Sequence, residues 1–152
     1  MTEPATPSAW TGIAGIGVDL VENRRMREVL QRKGVAFKNR VFRDEEQGYC
    51  DRQPEPWRHY AGRFAVKEAV SKAFGTGIGE HIGWLDIEVG RNEASGAPHV
   101  TLHGKARSLA SARGVARVLV SLSHTHEFTV AQALLCASGD VQNEKPKGAD
   151  SP

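Results

Sequence analysis

The stretch AGRFAVKEAVSKAFGTGIG, residues 61 to 79, constrains the fold of this chain more than any other. On a helix of 3.6 residues per turn, Ala61, Phe64, Ala65, Glu68 and Lys72 fall at i, i+3, i+4, i+7 and i+11. A face that should be apolar therefore carries a carboxylate and, one turn later, an ammonium. Burying an unpaired carboxylate is costly, so such a group is normally paired, neutralised or bound to a cation. The alternative is that the face has reached solvent by residue 68, where Glu68 and Lys72 form an i,i+4 pair contributing roughly a few tenths of a kcal/mol. Both readings fit the segment alone, and the choice between them rests on the remainder of the chain.

At 152 residues the chain is large enough for one domain with a real core, and one active site or binding face is expected. Cys50 and Cys136 stand far apart with no Cys-x-x-Cys or Cys/His spacing, which argues against a disulfide scaffold or structural zinc and fits a reducing cytoplasm. The opening MTEPATPSAW lacks a basic region followed by an apolar core, and no run is long enough to cross a bilayer, so the expectation is a cytoplasmic protein without membrane association. Net charge is only +2 but unevenly spread. Between residues 24 and 43, eight basic side chains (Arg24, Arg25, Arg27, Arg32, Lys33, Lys38, Arg40, Arg43) face the single acid Glu28. Such a field steers an acidic partner and weakens with salt. Only Phe37 and Phe42 are interleaved, with no RNA- or DNA-binding motif around them, so nucleic acid is not the expected partner. A merely solvated basic surface is the other reading.

Residues 1–10 read as a flexible extension, 11–136 as the domain and 137–152 as a flexible polar tail. Ile13 to Val21 reads as a strand with Ile16, Val18 and Leu20 on one apolar face and Gly17, Asp19 and Val21 on the other. A helix is expected from Arg24 to Lys33, stopped by Gly34, and a shorter one from Asp44 to Cys50. The long helix runs from Trp57 to Phe74 and ends at Gly75. Leu85 to Gly90 and His99 to His103 form a hairpin, Lys105 to Arg113 a small-residue helix, and Val115 to Ser123 with Glu127 to Leu135 two closing strands. Hairpins in place of regular strand–helix–strand crossovers give an α+β fold, a mainly antiparallel sheet packed with a long central helix and shorter helices.

Three groups of residues can carry chemistry. GTGIG at 75 to 79 has the glycine spacing of a backbone anion site. It lacks the Gly-Lys-Ser/Thr of a P-loop and follows a helix instead of a strand, so a helix cap plus turn explains its spacing as well. Asp19 and Glu68 are hard oxygen ligands on separate elements, and Mg²⁺ needs only one or two carboxylates when water and phosphate fill its other positions. Local pairing of Asp19 with Arg24 or Arg25 is the competing account. Ser121, Ser123, His124, Thr125 and His126 gather hydroxyls and imidazoles at a strand end without a nucleophile-elbow pattern, which fits phosphate contacts or a self-satisfied turn.

Taken together, the blocks GIGVDLVE (15–22), Arg25, Phe37 with Arg40, Glu46 and Tyr49, AGRFAVKEAVSKAFGTGIG (61–79), WLDIEV (84–89) and SLSHT (121–125) closely resemble the small single-domain 4′-phosphopantetheinyl transferases, the holo-acyl-carrier-protein synthases. The resemblance spans about 13 to 136. It implies the fold of that family and attack by a carrier-protein serine on the β-phosphate of coenzyme A, releasing adenosine 3′,5′-bisphosphate. By the same resemblance Asp19 and Glu68 bind Mg²⁺, Glu68 and Lys72 are catalytic, and Lys72 also holds coenzyme A phosphate. Gly75, Gly77, Gly79, Ser123, His124 and Thr125 line the coenzyme site, and Arg25 with Arg40 meets an acidic apo-acyl carrier protein. The family forms trimers with sites at subunit interfaces, so a homotrimer is expected. Arg43 departs from the family's frequent threonine, and both terminal segments exceed its core.

Overall fold

The computed structural model describes residues 12–138, so the expected extension 1–10 and nearly all of the expected tail 137–152 lie outside the described residues. The molecule is organised around the helix that the sequence singles out, here α3 (Pro56–Ala73). Pro56 sits in its first turn, where a missing N–H costs nothing, and Gly75 at φ 75° follows its end in the left-handed conformation that glycine adopts freely. Most of its circumference is covered: Tyr60, Ala61, Ala65, Val66, Ala69 and Val70 are fully buried.

Before α3 come β1 (Ile13–Glu22), α1 (Asn23–Val41) and α2 (Asp44–Asp51). After it come a short 3-10 turn (Trp84–Asp86), β2 (Ile87–Arg91), β3 (Pro98–Leu102), α4 (Gly104–Ala112), β4 (Val115–His124) and β5 (Phe128–Ala137). The strands form two antiparallel sheets, β1-β5-β4 and the hairpin β2-β3. This is the expected α+β architecture, with α3 laid across the three-stranded sheet. Among the described residues no helix is long and apolar enough to cross a membrane.

The structure decides one point that the sequence leaves open and corrects another. The face of β1 that packs on α3 is Gly17, Asp19 and Val21, while Ile16, Val18 and Leu20 stand exposed. The reason is close backbone approach: a Cβ on Gly15 or Gly17 would run into the carbonyl oxygens of Ala73 and Ala69. Glycine and alanine let strand and helix touch, so proximity and not side-chain hydrophobicity selects the buried face. The correction concerns α1, which does not end at Gly34. Gly34 leaves helical geometry (φ 51°, ψ −132°), and the chain then re-enters a helix that continues to Val41. Smaller shifts place Trp84–Asp86 in the 3-10 turn ahead of β2 and make His103 the N-cap of α4.

The fully buried charge within α3 is Lys67, not Glu68. Its ammonium donates to Glu46 Oε2 (2.8 Å), Val41 O (2.8 Å) and Trp84 O (3.0 Å), so all three protons have acceptors. Glu46 accepts in turn from the Arg43 N–H (2.7 Å) and the Val89 N–H (2.9 Å). Both side chains are essentially inaccessible. Burial pushes the Lys67 ammonium below its ordinary range and Glu46 opposes that shift. Removing one partner from such a pair leaves an uncompensated buried charge, at a cost of about 3–5 kcal/mol. Lys67→Met is therefore expected to lose stability on that scale in urea unfolding, and Lys67→Met/Glu46→Gln to recover part of it. A loss below about 1 kcal/mol would contradict this account of the network.

Candidate active site

Strand alternation puts Asp19 on the helix-facing side of β1, and a four-residue spacing stacks Glu68 and Lys72 on α3 where the two elements cross. Lys72 Nζ lies 2.8 Å from Asp19 Oδ1 and 3.2 Å from the Val18 carbonyl oxygen. The i,i+4 pair of the alternative reading thus gives way to a longer-range one: Lys72 turns to Asp19. Asp19 pairs with neither Arg24 nor Arg25, and Arg24 is instead bonded to Glu28 at 2.9 Å. Glu68 is half-buried. Burial, and then the charge of Asp19, raise its carboxyl above the usual glutamate range while Lys72 opposes the shift.

Asp19, Glu68 and Arg25 line one cleft of about 520 Å³, whose remaining wall includes Met26, Val29, Phe37 and Phe64. Two hard carboxylates with like charge, only partly neutralised by one lysine and facing an open cleft, fit a Mg²⁺ ion that keeps its other positions for water and phosphate. Among the described residues no cluster of three His, Cys, Asp or Glu side chains could cage a metal. Arg40 is exposed on the part of α1 beyond Gly34 and lines neither this cleft nor the one described next.

The SLSHT block lies elsewhere. His124 ends β4 on the helix side of the sheet, beside Gly62, and its Nδ1 is 2.9 Å from Thr129 Oγ1. Ser123 alternates to the opposite face, and Thr125 Oγ1 is occupied by the N–H groups of Glu127 and Phe128 in the β4–β5 turn. His124 lines a second cleft of about 450 Å³ with Tyr49, His59, Arg63 and Arg91. Arg63 is buried against the Tyr49 ring (4.3 Å), its Nε has no hydrogen-bond partner, and no carboxylate pairs with it among the described residues. Burial, with Arg58 adding to it, holds the His124 imidazole below its ordinary range; burial and then Arg63 do the same to His59. The cleft is cationic through its arginines, and a phosphate would supply the missing anion. Cys50 is buried and its thiol is pushed up to about 12 by desolvation, so it is no nucleophile.

The glycine loop closes α3. Gly75 and Gly77 take positive φ, the Gly75 N–H bonds to Lys72 O, those of Thr76 and Gly77 to Ser71 O, and that of Gly79 to Ile82 O. These donors are spent within the chain, and the loop lines neither cleft. Gly62, beside His124, and Gly75 stand thirteen residues apart, roughly 20 Å along a helix. One chain therefore brings Asp19, Glu68, Lys72 and Arg25 together and keeps His124 apart, in a cleft that shares no lining residue with theirs. His59, Arg63 and Arg91 are absent from the sequence reading. Their only signal is a basic residue, Arg63, among the small and aromatic residues of α3.

The family model of the 4′-phosphopantetheinyl transferase superfamily matches residues 15–133. The chain belongs to this superfamily. The holo-[acyl-carrier-protein] synthase of Chlorobaculum parvum is 48% identical over 120 residues, covering 79% of this chain and 96% of the relative. Among solved structures, the holo-[acyl-carrier-protein] synthase of Neisseria meningitidis superposes with a TM-score of 0.75 at 30% identity, covering 81% of this chain and 98% of that one. That of Bacillus anthracis, in complex with CoA (3′,5′-ADP), gives 0.70 at 34% identity, covering 84% and 99%. The fold expected from the sequence is thus the fold of the family.

Folding raises the affinity of Glu68 for its proton, so the group favours the folded state while protonated and loses that contribution as pH rises through the raised pKa. Metal-free Glu68→Gln should match the parent protein near pH 4 and exceed it in urea-unfolding stability near about pH 8. Equal stability at both pH values would contradict the strained-carboxylate account.

Proposed function

We propose that the chain transfers 4′-phosphopantetheine from coenzyme A to a serine of an apo-acyl carrier protein, giving holo-carrier and adenosine 3′,5′-bisphosphate. The observation that carries the reading is the meeting of Asp19, Glu68 and Lys72 where β1 crosses α3, within a chain of this family. Relatives named for the reaction, and one solved with the coenzyme, support it.

Asp19 and Glu68 are the residues that would hold Mg²⁺, which would supply Lewis-acid neutralisation of diphosphate charge. The serine oxygen forms its bond to the β-phosphorus as the bond to the bridging oxygen of the diphosphate breaks. Glu68 accepts the hydroxyl proton, and Lys72 neutralises charge on the phosphate oxygens, so positioning and electrostatics carry most of the work. Of the SLSHT residues, His124 is the one we assign to the nucleotide, together with Arg63. Ser123 and Thr125 are turned or bonded away from that cleft. Gly75, Gly77 and Gly79 serve by ending α3 just beyond Lys72, since the N–H groups of all three are already bonded. Arg25, on the carboxylate cleft, meets the acidic carrier, and Arg40 extends the same basic surface.

A homotrimer with shared sites is part of this reading. The outer sheet face exposes Ile16, Val18, Leu20, Leu119 and Val130, a contiguous apolar patch of the kind that marks an interface. Pairing the carboxylate cleft of one chain with the cationic cleft of a neighbour would complete a site that one chain divides. The free thiols Cys50 and Cys136 support a cytoplasmic setting.

Incubation with coenzyme A, Mg²⁺ and an apo-acyl carrier protein should add one phosphopantetheine to the carrier serine, read by intact mass. A folded protein that modifies neither fatty-acid nor polyketide carriers would refute the assignment. Arg25→Glu should raise the carrier KM at least about tenfold, from a lost favourable charge and a new repulsive one, while moving coenzyme A affinity little. The reverse pattern would move Arg25 to the nucleotide.

A further inference from the structure

A buried polar chain behind His124 has no part in the function described so far. Asn23, the first residue of α1, is 1% exposed, and its Nδ2 donates to the carbonyl oxygens of Thr125 (3.1 Å) and His126 (3.2 Å). Both amide protons are thereby used and the amide orientation is set, leaving Oδ1 as an acceptor. Thr129 Oγ1 lies 2.6 Å from that Oδ1 and is completely buried, so its single proton points to Asn23. The threonine oxygen can then only accept from His124 Nδ1, 2.9 Å away, which must carry a hydrogen. In the neutral imidazole Nε2 is then the unprotonated nitrogen. That side of the ring lies over Gly62: a Cβ there would come within 3.3 Å of His124 Cε1 and 3.9 Å of Nε2, and Gly62 and His124 line the same cleft as Arg63.

We propose that Asn23 and Thr129 are positioning residues that hold His124 as the Nδ1–H tautomer and present its Nε2 to the arginine-lined cleft. The chain of bonds is directional. Each group has one available role once the two carbonyls of the β4–β5 turn have taken the Asn23 protons, so the tautomer is dictated from α1. The Asn23 N–H also donates to Glu127 O (2.8 Å), which ties the start of the arginine-rich helix to the turn that follows His124. The consequence for coenzyme A rests on the functional reading above; the tautomer does not.

The test uses the full chain labelled with ¹⁵N. Imidazole nitrogen shifts report the tautomer, and calorimetry with coenzyme A alone reports binding without the transfer reaction. The parent protein should show His124 with Nδ1 protonated and Nε2 bare. Thr129→Ser should retain both the tautomer and the affinity. Thr129→Val should populate both tautomers and weaken coenzyme A binding about five- to tenfold, the scale of one lost hydrogen bond. A bare Nδ1 in the parent protein would overturn the proposal without any variant. So would a folded Thr129→Val that keeps the single tautomer and full affinity. A parent protein with the expected tautomer that does not bind coenzyme A would uphold the positioning of His124 and refute the functional reading.

Discussion

The ion pair between Lys67 and Glu46 is the point from which the rest of the structure takes its geometry. One ammonium and one carboxylate, neither touching water, gather the end of α1 through Val41, the start of α2 through Arg43, the turn before β2 through Trp84 and β2 itself through Val89. A pair with fewer acceptors would cost more in desolvation than it returned. With its donors satisfied, the pair fixes the rotation of α3 about its own axis. Glu68, the next residue, is thereby aimed at Asp19, and Arg63, one turn earlier, at the cationic cleft. Both lie within about one turn of the residue that locks the helix.

Much of this was legible in the sequence. Glycine and proline punctuation located the elements, and the carboxylate pair followed from hard ligands on two elements. Family resemblance supplied the chemistry that spacing alone left open. What escaped has physical causes. Alternation divided β1 into an apolar face of Ile16, Val18 and Leu20 and a face of Gly17, Asp19 and Val21 without saying which is inner; glycines at 15 and 17 let α3 approach the second, and the apolar residues stand exposed. A helical wheel with one apolar face placed the charge problem at Glu68. Because α3 is buried nearly all round, the fully buried charge is Lys67, whose partner lies 21 residues earlier in the chain. Gly34 signals a stop, yet a single left-handed glycine kinks the path and the helix resumes. The cationic cleft draws His59 and Arg63 from α3, Arg91 from β2 and His124 from β4, a convergence that no local pattern announces.

α3 also separates the two clefts. Its crossing with β1 carries the carboxylates and Lys72, its N-terminal half carries Arg63, which lines the other cleft with His124, and the two clefts have no residue in common. A site divided in this way within one chain, next to an exposed apolar sheet face, is what an assembly of identical chains can complete. On this account stability and function share one design. The buried pair sets the helix and the helix spaces the clefts; in the proposed assembly the apolar sheet would bring the cleft of one chain to that of another.

The most direct test of that central claim is subunit complementation. Glu68→Gln and His124→Ala chains should each be inactive alone, and mixed assemblies made by co-expression should regain a substantial part of the transfer activity, because some interfaces then combine an intact carboxylate cleft with an intact cationic one. Mixed assemblies as inactive as their parents would show that each chain completes its own site and would contradict the account.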